Sequence, residues 1–243
     1  MNLKPKISIV TVTFNAEKYI ERAIKTVLFQ DYSNIEYVII DGLSTDGTLE
    51  ILQKYNDHID YWVSEPDRGI YDAMNKAITV MSGEFYIVMG GDDILFPGAI
   101  SEIVNYHLIK SKVDYLITAT WLGDKTLRQG IRPKSGWKGA HAMVNAHSVG
   151  MVIRKDVHKE VGMYSLDYPL SADALFIKKL FASSAIGLSC DVILGRFATE
   201  GASNNNLAKG LCENFLIQLK TESNKKLQVM IFVLKLVKNI FKF

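Results

Sequence analysis

Cysteine is scarce. The 243 residues hold two, Cys190 and Cys212, with no metal-type spacing between them. That argues against a disulfide-stapled chain and against a structural zinc site, and it fits buried thiols in a reducing compartment. Proline is rare as well, at five, and no repeat or low-complexity segment breaks the sequence, so disordered and collagen-like classes are excluded. No apolar stretch reaches the roughly 18–20 residues that a bilayer span requires. Met1 to Lys6 is polar, and the apolar run that follows lacks a small-residue cleavage site, so no secretory leader is expected. A net charge of +2 argues against a dedicated nucleic-acid binder. Several nucleotide and metal signatures are missing too: G-x-G-x-x-G after the first strand, G-x-x-x-x-G-K-[ST] and H-E-x-x-H. Their absence speaks against a nicotinamide enzyme, a P-loop NTPase and a zinc hydrolase.

What is present is a β-α-β-α rhythm. Residues 7–13, 37–40, 61–63 and 85–89 are short, nearly continuous apolar runs. Residues 16–29, 45–55 and 70–81 carry helical spacing between them. This pattern predicts a parallel sheet covered by helices on both faces. Beyond Pro97 the rhythm loosens. Residues 100–108 read as helix, 115–118 as strand, 123–142 as a long loop, 172–181 as helix, 192–197 as strand, and 207–243 as two helices. A catalytic domain over 1–206 and a helical extension over 207–243 are expected.

In such sheets ligands sit beyond the carboxyl ends of the strands. Polar residues collect there: Asn15 after the first strand, Asp41 after the second, Glu65 and Asp67 after the third, Asp92 and Asp93 after the fourth. Adjacent carboxylates repel, so Asp92-Asp93 suits a hard divalent cation shared with phosphates; a helix cap is the plainer reading. The loop from Asp41 to Thr48 has two acids, Asp41 and Asp46, and three hydroxyls. That exceeds what a strand-to-helix turn consumes, and it suits ribose or base groups. Arg68, near a helix start, could meet a pyrophosphate or simply pair with Asp67 or Glu65.

Taken together, Thr-Phe-Asn15, Asp41-Gly-x-Ser-Thr-Asp-Gly-Thr48, Ser64-Glu-Pro-Asp-x-Gly-Ile-Tyr-Asp-Ala-Met-Asn-Lys76 and Gly-Asp-Asp93 resemble glycosyltransferase family 2, the inverting enzymes with a GT-A fold, over about residues 6–205. The resemblance implies a mixed, mostly parallel α/β sheet, a nucleoside-diphosphate sugar (a UDP-sugar first), and Mn²⁺ or Mg²⁺. It places Thr11, Thr13, Asn15 and Asp41 at the nucleobase. Asp67, Arg68 and Lys76 fall along the nucleoside and diphosphate, Asp92 at the ribose, Asp93 on the metal, and Asp173 as general base. Asp173 also suits an ordinary helix cap. His147 falls where relatives place a histidine near donor or acceptor, and an ordinary imidazole is the alternative. Lys178-Lys179 stands where many relatives carry arginine. Thr199 to Ser203 resembles a donor-covering loop without its histidine, leaving Arg196, Glu200 and Ser203 as donor or acceptor contacts.

Residues 220–243 hold six lysines and one acid, against 22 basic and 25 acidic residues in the remainder. Lys225, Gln228, Lys235, Lys238 and Lys242 form one helical stripe among apolar residues. That suits an anionic membrane surface, with packing on the core or on a second copy in a homodimer as alternatives. The expected whole is a cytoplasmic enzyme on the inner face of the membrane. It would move a hexose or N-acetylhexosamine to a glycan acceptor, lipid-linked, in surface polysaccharide synthesis such as O-antigen, capsule or exopolysaccharide. A sugar-nucleotide nucleotidyltransferase and a non-catalytic nucleotide- or glycan-binding module are the rivals.

Overall fold

The computed structural model describes residues 4–109, 111–124, 126–128, 148–198 and 207–239. The first half is β1 (Ile7–Thr13), α1 (Ile20–Leu28), β2 (Ile35–Asp41), α2 (Thr48–Lys54), β3 (Tyr61–Ser64), α3 (Ile70–Val80) and β4 (Phe85–Gly90). These four strands are parallel, in the order β3-β2-β1-β4. The second half is β5 (Ile94–Leu95), α4 (Ala99–Ile103), β6 (Tyr115–Leu122), β7 (Thr126–Arg128), β8 (Met151–Arg154), α5 (His158–Val161), α6 (Ala172–Ala182), β9 (Gly187–Phe197), α7 (Leu207–Thr221) and α8 (Lys225–Asn239). Here β8 lies antiparallel between β4 and β6, and β9 runs parallel to β6. The sheet is therefore mixed and mostly parallel.

The unbroken apolar strands are explained by two cores. Ile7, Ile9, Tyr37, Ile39, Phe85 and Ile87 pack on the face covered by α1, α2 and α4. Val10, Val12, Val38, Ile40, Tyr86 and Val88 pack on the face covered by α3 and α6. Alternate side chains leave a strand on opposite faces, so a strand buried on both shows no polar alternation. The single helix expected over 100–108 is instead α4 followed by a π-helical turn, Val104–Leu108. Ile103 and Val104, on either side of the junction, are both buried.

The tail folds as two helices, and its expected stripe is split: Lys225 and Lys238 are exposed, while its middle turns inward. Gln228 is buried, and Lys235 lines a groove between α7 and α8 with Leu211, Phe215, Ile231 and Phe232. Burial lowers the Lys235 pKa. The Phe215 and Phe232 rings stack at 4.2 Å, drawing that face inward. What α8 shows to solvent is Val229, Met230, Val233, Leu234 and Val237, with Lys226 and Lys238 exposed at the two ends. Lys242 lies outside the described residues.

At the amino ends of the strands, Glu36 ties β1, β2 and the approach to β4. It accepts hydrogen bonds from Ser8 Oγ (2.5 Å), Ser82 N–H (2.8 Å), Ser82 Oγ (2.6 Å) and Lys6 Nζ (3.3 Å). Burial pushes its pKa up, yet these bonds and the Lys6 charge prevail, and it falls from 4.5 to about 2. A depressed carboxylate stabilises the fold above its unfolded pKa and stops doing so as pH falls through the folded one. Glu36→Gln should cost about 3 kcal/mol in urea denaturation at pH 7. The gap to wild type should narrow between pH 4.5 and 2; a pH-independent gap would show that the charge is not responsible.

Candidate active site

The carboxyl ends of the parallel strands form one rim. The register pairs Thr13 with Asp41 and Asp41 with Ser64, while Val12 pairs with Gly90. Asp41 is 0% exposed. Its carboxylate accepts from Ser44 N–H (2.8 Å), Ser44 Oγ (2.5 Å) and Ser64 Oγ (2.6 Å). Ser44 Oγ in turn accepts the Asn15 N–H (2.7 Å), and Asn15 Oδ1 accepts the Thr45 N–H (2.9 Å). Asp46 accepts from Thr48 Oγ1 (2.5 Å) and from the Glu17 N–H (3.1 Å). Burial raises its pKa, but these bonds outweigh burial and hold it below the ordinary aspartate value.

Both loop acids therefore bind the 14–17 and 42–48 segments to each other. Asn15 and Leu43 adopt left-handed backbone, φ 48° and 66°. That is uncommon for asparagine and costly for leucine, and such strain gathers at binding sites. Phe14 (62% exposed), Asn15 and Leu43 stand at the surface. Thr13 is buried against Gly91, and its Oγ1 has no partner among the described residues. Thr11 does not reach the rim: it is fully buried, with its hydroxyl 3.1 Å from Tyr37 Oη. An alternating strand that delivers Thr13 to its end leaves Thr11 two residues deep.

After β4 the chain turns through Asp92 and Asp93. Asp93 is 1% exposed. Its Oδ2 accepts from Gly90 N–H (2.8 Å) and Ser148 Oγ (2.5 Å), and its Oδ1 from Ala198 N–H (2.8 Å). Burial pushes its pKa up to about 6; the three bonds work against this and the Asp92 charge adds to it. The turn is clamped by β5 on β9, where Ile94 O approaches so closely that any side chain at Gly195 would collide with it. Gly90 matters for a different reason. A Cβ there would lie 2.8 Å from Asp92 Oδ1 and 3.4 Å from Asp93 Oδ2, so both carboxylates converge on its bare Cα.

Two converging carboxylates match the chemistry of a hard cation that also takes phosphate oxygens and water. Among the described residues no cluster of three or more His, Cys, Asp or Glu forms a complete metal cage. The donor set suits a cation shared with a ligand.

The α3 end of the rim holds the next group. Asp67 accepts the Gly69 N–H (2.7 Å) and lies against Gly42, whose Cβ would come within 2.6 Å of its Oδ2. Arg68 is exposed, with Nε 3.8 Å from Asp72. Lys76 is tied to Glu65 (2.8 Å) and donates to Pro66 O (2.7 Å).

Asp173 sits in the first turn of α6 and is joined to α3 by Tyr71. The Tyr71 hydroxyl donates to Asp173 Oδ1 (2.8 Å), as does the Ala174 N–H (2.8 Å). No bond to Oδ2 occurs among the described residues. Burial, then the Asp173 charge, raises the Tyr71 pKa well above its ordinary value, so the phenol stays a donor. Tyr71 stacks on Tyr164, whose hydroxyl lies 3.1 Å from Tyr86 Oη, and Tyr86 Oη lies 2.9 Å from His158 Nε2. Burial lowers the His158 pKa, so this chain of rings is neutral at pH 7.

Tyr71, inside the Ser64–Lys76 motif, and Ser44, Ser64 and Ser148 are donors to the site acids, roles that the sequence does not announce. Only contact across the fold reveals them. Arg196 pairs with Asp124, and Lys178 with Glu222 on the α7 side. His147, Glu200 and Ser203 lie outside the described residues.

Comparison with known proteins bears on the family and the fold. An uncharacterized glycosyltransferase of Mycobacterium tuberculosis is 29% identical over 215 residues, covering 84% of this chain and 79% of its own. The GalNAc(5)-diNAcBac-PP-undecaprenol beta-1,3-glucosyltransferase of Campylobacter jejuni is 34% identical over 104 residues, 41% of this chain and 34% of that protein. Among solved structures, S. aureus TarS 1-349 in complex with UDP-GlcNAc superposes with a TM-score of 0.67 at 19% identity, over 93% of this chain and 70% of that one. The mannosyltransferase PcManGT of Pyrobaculum calidifontis, in complex with GDP-Man and Mn2+, gives 0.63 at 14% identity, over 89% and 64%. These two similarities speak to the fold. The profile of glycosyl transferase family 2 matches residues 8–158, and with the GT-A architecture and its rim in place, the chain belongs to that family.

Proposed function

We propose that this enzyme moves a hexose or N-acetylhexosamine from a UDP-sugar to a glycan acceptor, with inversion at the anomeric carbon. The observation that carries the reading is Asp173. One of its oxygens is fixed by Tyr71 and a helix N–H, and the other takes no bond among the described residues. A carboxylate held in one orientation with an oxygen to spare is what a general base requires.

The acceptor hydroxyl forms a bond to the anomeric carbon, and its proton passes to Asp173 Oδ2. The bond from that carbon to the diphosphate breaks on the opposite face, and the nucleoside diphosphate leaves with the electron pair. A single displacement of this kind inverts the centre. Asp93, with Asp92 beside it, would hold Mn²⁺ or Mg²⁺, which supplies positive charge to the departing phosphates. Asn15, Thr13 and the loop kept in shape by Asp41 and Asp46 receive the nucleoside; Asp67, Arg68 and Lys76 line the path of the diphosphate. UDP-GlcNAc in TarS and Mn2+ with GDP-Man in PcManGT support the choice of donor and cation.

The acceptor is lipid-linked in this reading. The Campylobacter relative carries undecaprenol in its name, and α8 presents an apolar stripe flanked by Lys226 and Lys238. Such a helix lies flat in an anionic interface, and it would keep enzyme and acceptor in one plane. No helix among the described residues is long and apolar enough to cross a membrane.

Asp173→Asn should keep donor affinity by calorimetry while nucleoside-diphosphate release falls by about 10²–10⁴-fold. Retained turnover removes Asp173 as base, and pyrophosphate released from a nucleoside triphosphate supplied with a sugar 1-phosphate, with no diphosphate released from the UDP-sugar, would make the enzyme a nucleotidyltransferase. Asp93→Asn should abolish the Mn²⁺-dependent part of UDP binding in a protein that circular dichroism shows to be folded, with a lowered melting temperature because the amide accepts on one side where the carboxylate accepts on both. Unchanged UDP affinity counts against the metal role. Val233→Asp with Val237→Asp, both at exposed positions, should release the protein from phosphatidylglycerol vesicles in flotation. Continued flotation excludes α8 as the anchor, and a dimer that the double variant dissociates would assign the stripe to a second copy.

A further inference from the structure

Glu213 lies on α7, outside every motif of the family reading, and is only 6% exposed. Its Oε2 accepts the backbone N–H of Leu170 (2.8 Å). Its Oε1 is buried with no hydrogen-bond partner. The next residue, Asn214, donates from Nδ2 to Ser171 Oγ (3.0 Å). Leu170 and Ser171 form the turn that launches α6, where Ser171 and Ala172 N–H groups both close back on Tyr168 O. Two consecutive residues of α7 thus grip two consecutive residues just ahead of Asp173.

Two local rules are broken here. Ser171 stands at the N-cap of α6 but makes no side-chain cap bond. A serine in that place ordinarily serves its own helix; this one is engaged by α7. A buried carboxylate oxygen left without a donor is also disfavoured. Glu213 also adds its charge to that of Asp173 in keeping the buried Tyr71 phenol protonated, as the donor to Asp173.

We propose that Glu213 is a positioning residue of the transfer step: by holding Leu170 N–H it fixes the turn that aims Asp173 at the acceptor hydroxyl. This rests on Asp173 being the base. Backbone displacements of an ångström at a reacting group can cost about a hundredfold in rate.

The test uses the full chain, with UDP release from UDP-N-acetylglucosamine in Mn²⁺ for turnover and UDP titration for affinity. Glu213→Ala should lower kcat by about ten- to a hundredfold with donor KM and UDP affinity unchanged. Glu213→Gln, whose amide oxygen still accepts from Leu170, should recover most of that loss. Should Glu213→Ala not fold, Asn214→Ala loosens the same turn through Ser171 and should give a smaller kcat loss at constant KM. Wild-type kcat in these variants, or kcat and UDP affinity falling together, overturns the proposal. A fully active Asp173→Asn would instead overturn the base assignment, so the two failures are distinguishable.

Discussion

A carboxylate taken out of water must be met by hydrogen-bond donors, and this fold is organised around four such acids. They differ in how completely they are met. Glu36 and Asp41 each collect donors on both oxygens from serine hydroxyls and backbone N–H groups. Asp93 receives three donors and is still pushed up to about 6 by burial. Glu213 has one oxygen bonded and one bare. The first two hold strands and loops in register. Asp93 is bonded on both oxygens, as Asp41 is, and of the four acids Glu213 is the one with an oxygen left bare.

The same constraint explains the position of the site. Parallel strands bring their carboxyl ends to one rim, and the turns that follow must bend within a few residues. Serine supplies short-range donors there: Ser44 and Ser64 for Asp41, Ser148 for Asp93. Phe14, Asn15 and Leu43 remain as the outward surface of this end of the rim.

The strands and helices of the first half were legible in the sequence, because both-face burial writes continuous apolar runs and helices write a 3.6-residue period. The rim acids were legible because they follow those runs. The fate of each acid was not. Nothing local separates Asp41, sealed by two serines, from Asp92, which is partly exposed. Thr11 and Thr13 look alike on paper, and only the strand's depth in the sheet divides them. The lysine stripe of α8 shows a further limit: periodicity states that a helix has two faces, not which one is packed. Phe232 stacking on Phe215 chose the face that carries Lys235. Glu213 was invisible for the simplest reason, since its partner Leu170 is 43 residues away.

The two halves of the fold hold each other's reactive groups. Asp93 belongs to the first half, yet it is bonded by Ser148 and Ala198 of the second. Asp173 belongs to the second half, yet it is bonded by Tyr71 of the first. A displacement reaction needs the base and the charge-neutralising group on opposite sides of one sugar ring, at a fixed separation. If Asp173 is the base and Asp93 the cation ligand, as proposed, reciprocal bracing would set that separation without either acid having to touch the other. On the proposed reading, the geometry of transfer is a property of how β4, α3, α6 and β9 meet, with α7 closing the turn at Leu170 from behind.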